Sequence, residues 1–237
     1  MIDLSADLAE GAPGEDEIWS MVSSANVACG GHYGDKESMT DAVRRARDRK
    51  VRLGAHPSYP DRANFGRTSM AMAPPALRAS IVEQIEALLE IAERERVPMV
   101  HVKPHGALYN DAHKDIALSS VIIEAIREVD SKLAIVCSDR SQMAKAARAA
   151  GTAVIREAFA DRRYNADGSL VMRSIAGSLL SVEEAAEQAA MLAKERAVIA
   201  RDGTRIPVPY DTICVHADME HAVERLRAIR QRLGGAE

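Results

Sequence analysis

Residues 99–110 read MVHVKPHGALYN, and their alternation decides how the rest of the chain folds. In extended backbone successive side chains point to opposite faces, so His101, Lys103 and His105 share one face while Val100 and Val102 take the other. A lone histidine in an apolar segment is usually a hydrogen-bonded core residue. Three basic groups on one face, followed at once by a Pro and a Gly, point instead to a chemical face. A lysine directed inward also needs a carboxylate partner, a bound anion or a lowered pKa.

Outward from that strand, seven short apolar stretches have strand character, at 2–8, 22–29, 51–56, 98–105, 133–138, 152–159 and 212–217. Helical patterns separate them. DKESMTDAVRRARDRK opens on an Asp35 cap, and Ile81, Ile85, Leu88, Leu89 and Ala92 form one helical stripe. Weaker helices are expected over 114–129 and 140–150, and amphipathic ones over VEEAAEQAAMLAKERAVIA and MEHAVERLRAIRQRL. Strand and helix in alternation predict an α/β fold with a parallel sheet, either open and doubly wound or closed. Polar groups settle the choice. Asp7, His32 with Asp35, His56, Lys103 with His105, Asp161, and His216 with Asp218 sit near the carboxyl ends of six strands. An open sheet spreads such ends along a line, whereas a barrel gathers them into one ring. The expectation is therefore a distorted seven-stranded (β/α) barrel forming a single domain over 1–237.

Composition narrows the partners. A formal charge of −4 and 3% aromatic residues offer neither a basic field for nucleic acid or an anionic membrane nor a platform for base stacking. Cys29, Cys137 and Cys214 lack a CxxC pair, so neither a disulfide framework nor a thiolate zinc site is indicated, and a reducing cytoplasm is the expected location. The acidic start MIDLSADLAE lacks the pattern of a secretory signal. Neither GxxxxGK[ST] nor a GxGxxG after a strand occurs, so the chain carries no recognisable nucleotide cradle of its own.

Four segments end strands in Gly-, Pro- or Asp-containing turns: SANVACGGHYGD, GAHPSYPD, KPHGALYN and EAFADRRYNADG. The imidazoles of His32, His56, His105 and His216 with the carboxylates of Asp7, Asp161 and Asp218 suit proton transfer. The same groups suit a divalent metal, with Asp7, His56, His105 and His216 as its expected ligands. Arg67, Arg162 and Arg173 can clamp a carboxylate or phosphate. Cys29 and Cys214 are read as inert buried thiols, His101 as support deeper in the barrel, and His113 and His221 as surface residues.

In this order the motifs DLSADLAEG, SANVACGGHYGD, LGAHPSYPDRANFGR, VKPHGALYN, REAFADRRYNADGSLVMR and TICVHAD resemble the LamB/YcsF family over nearly the whole chain. The resemblance implies a seven-stranded β/α barrel related to polysaccharide deacetylases. It also implies a role in ATP-dependent opening of a small lactam, 5-oxoproline, to L-glutamate with two partners, the 5-oxoprolinase subunits B and C, ATP being handled with those partners. Asp7, Glu10, His32, Asp35, His56, Lys103, His105, Asp161 and His216 stand at positions matching the family's. Glu10, Asp35, Arg67, Tyr109, Asn110, Arg162 and Asp218 are expected to line the substrate. In the expected chemistry, Asp7 or Asp161 with His216 activates water, His105 or His56 protonates nitrogen, and Lys103 with Arg67 steadies phosphate or carboxylate charge.

Several positions depart from the family's wording. Ser5 and Ala6 replace an Asn and a Cys, Ala9 replaces a Gly, Gly31 and Tyr33 replace the Phe and Ala of ACGFHAGD, and Ala217 replaces the Gly of CVHGD. Tyr33 is expected to narrow or reshape the pocket. A metal-dependent N-deacylase and a noncatalytic small-molecule-binding barrel are the alternative readings, and besides its partner subunits the chain can be expected to meet copies of itself as a homo-oligomer.

Overall fold

The computed structural model describes residues 2–234. In chain order its elements are β1 (Leu4–Leu8), α1 (Glu15–Ile18), β2 (Ser24–Ala28), α2 (Lys36–Arg49), β3 (Arg52–His56), α3 (Pro74–Arg94), β4 (Met99–Val102), α4 (Gly106–Lys114), α5 (Ile116–Val129), β5 (Ala134–Cys137), α6 (Gln142–Ala149), β6 (Val154–Phe159), α7 (Val182–Glu195), β7 (Ala197–Ile199), β8 (Arg205–Pro207), β9 (Thr212–Cys214) and α8 (Ala222–Gly234). Seven parallel strands close into a barrel in the order β1-β2-β3-β4-β5-β6-β9, as the strand-end pattern required. β9 seals the ring by pairing with β6 on one side and β1 on the other.

Local chemistry sets the helix ends. Asp35 accepts from the backbone N–H groups of Glu37 and Ser38 while Ser38 caps in return, and Ser181 with Glu184 repeats this box at α7. Pro74 begins α3, where its missing N–H removes no helical hydrogen bond. The stripe of α3 is buried as expected, Ile81, Ile85, Leu88 and Ala92 fully and Leu89 in part. Each such Leu or Ile contributes about 1.5–3 kcal/mol. One expectation is corrected. The helix assigned to 182–200 stops at Glu195, Arg196 turns left-handed at φ 49°, and Ala197–Ile199 pairs antiparallel with Arg205–Pro207 outside the barrel. Val198 and Ile199 are β-branched and suit a strand better than a helix end. Among the described residues no helix is long and apolar enough to cross a membrane.

Register explains the interior. Asp7 pairs with Asn26, Asn26 with Gly54, and Gly54 with His101, so one inward layer runs round four strands. Gly54 is obligatory there, because a Cβ would collide with the His101 ring at Nε2. The Gly31 departure is also explained: a Cβ would collide with Gln84 Oε1, and Gln84 fills that space by bonding both the N–H and the carbonyl of Ser58.

Ala9, directly after β1, has φ 59°, a left-handed conformation that L-residues disfavour. The structure thus supplies the reason for a glycine at this position. Ala9→Gly is expected to raise unfolding stability by about 0.5–1 kcal/mol, the relief of strain exceeding the added freedom of the unfolded chain. Chemical denaturation midpoints of the two proteins measure it.

Candidate active site

The carboxyl ends of the strands open into one cleft of about 940 Å³, within the usual range for small-molecule sites. Asp7, His56, Lys103, His105, Glu157 and His216 all line it, arriving from β1, β3, β4, β6 and β9 or the turns that follow them. The alternation in MVHVKPHGALYN holds, with His101, Lys103 and His105 buried inside and Val100 exposed.

At the centre stands a buried charge group. Lys103 Nζ lies 2.9 Å from Asp7 Oδ1, 2.7 Å from Glu157 Oε1 and 3.1 Å from Cys214 Sγ. Burial opposes both charges, yet His56 and Lys103 hold the Asp7 carboxyl well below its ordinary range, and Asp7 with Cys214 and Glu157 keeps Lys103 well above its own. Asp7 also accepts from Asn26 Nδ2 at 2.8 Å. Asn26 Oδ1 must then face His101, whose Nε2 donates to it at 2.8 Å. His101 is neutral and supporting, its pKa pushed down to about 3 by burial. Burial also pushes the thiols up, Cys29 to about 12 and Cys214 well above its usual value, so neither is a thiolate nucleophile.

Beside this group Glu10, His32, His56 and His105 bring one ligand atom each within 4.8 Å of one another. His32 Nε2 donates to Glu10 Oε1 at 2.9 Å, and its ring stacks on His105 with centroids 3.7 Å apart. His56 Nδ1 lies 2.7 Å from the Lys103 carbonyl and His105 Nε2 lies 3.0 Å from that of Phe65. Carbonyls only accept, so both of those nitrogens carry hydrogen. Phe65 is turned left-handed, φ 54°, to present its carbonyl. The inward nitrogens, His56 Nε2 and His105 Nδ1, then meet at 3.0 Å as two lone pairs unless a positive centre lies between them. Burial lowers His32 to about 4 and lowers His105 as well. His56 is raised, burial being outweighed by the Asp7 carboxylate with Glu10 behind it, so without a metal ion the proton belongs on His56.

Across the cleft Asp161 accepts from the backbone N–H of His216 at 2.7 Å and from its Nδ1 at 3.0 Å. Against the upward push of burial, His216 holds Asp161 down to about 2. Burial keeps His216 itself neutral by lowering its pKa, which leaves Nε2 as a free base. The ring lies 5.6 Å from Phe159 and nearly parallel to it.

The sequence-derived set divides on folding. The expected metal group of Asp7, His56, His105 and His216 does not assemble as one, because Asp7 is committed to Lys103 and His216 to Asp161, while Glu10 and His32 take their places. Arg67 and Arg162 line the cleft, and Asp218 pairs with Arg67 and Arg173 at its mouth. Tyr109 is buried, its hydroxyl accepting from Ser138 N at 3.0 Å, and Asn110 lines the cleft while donating to Gly106 O. Asp35 is exposed and spent on the α2 cap. Tyr33, expected to narrow the pocket, instead lies against Gly11 and is outside the cleft lining. His113, read as a surface residue, is half-buried and lines the cleft, whereas His221 is exposed. Asn26 and Glu157 are the polar residues the sequence reading passed over. The signal was present, since Glu157, Phe159 and Asp161 alternate on β6 and its extension as His101, Lys103 and His105 do on β4.

Comparison with known proteins adds to this geometry. The family model described as LamB/YcsF family matches residues 2–237. The chain is 45% identical over 238 residues to a protein from Methylococcus capsulatus named as the A subunit of 5-oxoprolinase, covering 98% of this chain and 92% of that one. The crystal structure of a lactam utilization protein from Thermus thermophilus superposes with a TM-score of 0.92 at 39% identity, covering 99% of this chain and 96% of that one. A family 4 carbohydrate esterase from Streptomyces lividans shares the fold at a TM-score of 0.51 and 12% identity, covering 99% of this chain and 88% of that one.

Removing the central cation tests the charge group. Lys103→Met leaves Asp7 and Glu157 facing each other in the barrel, and is expected to lower stability by about 3–5 kcal/mol. Urea denaturation of both proteins measures the loss.

Proposed function

The chain belongs to the LamB/YcsF family, and from that premise we propose that it is the lactam-opening subunit of an ATP-dependent 5-oxoprolinase. It would convert 5-oxoproline to L-glutamate together with subunits B and C, in the cytoplasm, where three unpaired buried thiols are at home. The observation that carries this reading is the ring of buried acids, bases and a cation round one cleft. Opening an unstrained lactam needs an activated carbonyl, a nucleophilic water and a proton for the departing nitrogen.

The chain has no phosphate loop, so ATP would be handled by the partners, which would transfer its terminal phosphoryl group to the lactam carbonyl oxygen and release ADP. This chain's residues would do the rest. Asp161 fixes the tautomer of His216, whose free Nε2 takes a proton from water as that water's oxygen bonds to the carbonyl carbon. The C–N bond then breaks, its electron pair stays on nitrogen and takes a proton from the protonated His56 on the other side of the cleft, and the acyl phosphate that remains is hydrolysed by a second water to the carboxylate and inorganic phosphate. Lys103, fixed between Asp7 and Glu157, would place positive charge beside the phosphorylated oxygen and its negative charge.

A divalent ion fits the Glu10, His32, His56 and His105 group on the chemistry of its donors: one carboxylate and three imidazoles, with two imidazole lone pairs aimed at each other and both rings locked by backbone carbonyls. When bound, such an ion supplies Lewis acidity. That feature favours the second reading, a metal-dependent N-deacylase.

The two readings are separated by measurement. Reconstitution with candidate partner subunits is expected to release glutamate from 5-oxoproline only when ATP is present. His216→Asn and Asp161→Asn are expected to lower kcat by about 10²–10⁴-fold. Because a base acts deprotonated and burial lowers His216, the acid limb of kcat against pH is expected below 6.5 in the unmodified protein and to disappear in His216→Asn. On the second reading, elemental analysis is expected to find about one divalent ion per chain, lost in His32→Ala and His105→Ala; on the first, in which His56 carries a proton, none is expected there. Amide hydrolysis without ATP or partners, abolished by a chelator, would establish the deacylase instead.

A further inference from the structure

We infer that the mouth of the cleft holds an oxyanion site formed by Arg67, Arg162 and Arg173 and occupied by the chain's own Asp218, and that its ligand is a dianionic phosphoryl group. The three guanidiniums come from separate segments, after β3, after β6 and from the long connection to α7, yet all line the same cleft. Arg162 is 6% exposed. Its Nη2 donates to the Val171 carbonyl at 2.7 Å, and its Nε is buried with no partner. Burial first, and then the Arg173 charge, lowers both Arg67 and Arg162, the latter to about 10. Like charges are therefore crowded together against their own preference.

The carboxylates present do not balance them. Asp161 accepts both donors of the neutral His216, so it offers Arg162 its charge, which raises that guanidinium, and two carboxylates stand against three guanidiniums. Asp218 remains, its Oδ2 accepting from Arg67 and, at 3.2 Å, from Arg173. One carboxylate bridging two guanidiniums, with a third buried and incompletely bonded nearby, is how a site for a larger anion looks when a side chain fills it. A substrate carboxylate would only replace Asp218 charge for charge. A phosphoryl group brings a second negative charge and three oxygens for the planar forks. Charge matching thus favours phosphate, and Asp218 acts as its competitor. The link to catalysis rests on the ATP-dependent reading above, but the binding itself needs no turnover.

Isothermal titration of the whole chain with inorganic phosphate, in chelator and at low ionic strength, tests this directly. Asp218→Asn is expected to bind phosphate about 10-fold tighter than the unmodified protein, since a competing charge has gone. Arg162→Gln and Arg173→Gln are expected to weaken binding at least about 10-fold, and acetate to bind more weakly than phosphate. Unchanged or weaker phosphate binding in Asp218→Asn would make Asp218 a positioning residue and overturn the inference. Acetate binding as well as phosphate would overturn the phosphoryl assignment. Should Asp218→Asn fail to fold, judged by circular dichroism, Arg173→Gln decides, and phosphate affinity equal to the unmodified protein's overturns the site. Failure of lactam turnover with intact phosphate binding would remove the proposed function and leave this site standing.

Discussion

An ammonium group buried between two carboxylates at the axis of the barrel is the constraint on which the other features depend. Lys103 holds Asp7 ionised, Asp7 orients Asn26, and Asn26 fixes the tautomer of His101, whose ring in turn excludes any side chain at residue 54. Asp7 also lies 3.4 Å from His56 Nε2, so the protonation of the histidine cluster is tied to the same charge. Desolvating three such groups is unfavourable on its own, and only their mutual attraction, with His56 beside Asp7, makes the polar interior tenable.

The cleft separates two kinds of chemistry. On one side three imidazoles and Glu10 compete for a positive centre; on the other, Asp161 accepts both donors of His216 and leaves its far nitrogen open. A carboxylate at the imidazole fixes the tautomer on the second side, while backbone carbonyls do so on the first. Burial thus favours neutral His216 while Asp7 favours the protonated form of His56 in the same pocket, which is what paired acid and base work at constant pH demands.

Much of this was legible in the sequence. Polar residues at successive strand ends argued for closure, and the alternation in MVHVKPHGALYN gave the inward face of β4. Side-chain grouping was not legible, because which histidine meets which carboxylate depends on strand register. Asp7 and His216 stand at opposite ends of the chain and line one cleft, but register gives each a different partner. Asp35 reads equally well as a helix cap and a substrate contact, and its exposure and cap hydrogen bonds show the cap prevailing. Glu157 was hidden by its neighbours, a buried carboxyl in a motif whose aspartate drew attention. The hairpin after α7 is not legible from periodicity, because Ala197–Ile199 continues the helical pattern and only its pairing with Arg205–Pro207 marks it as a strand.

The strand that seals the ring is the last one in the chain, and it lies between the first and the sixth. During synthesis the nascent sheet therefore carries two unsatisfied edges until residues 212–214 leave the ribosome, and His216 is delivered with that final strand. Closure and the complete set of reactive groups arrive together. A truncated product lacking this segment would present adhesive, unpaired backbone and half a pocket, so premature termination would produce an aggregation hazard instead of a partially active protein.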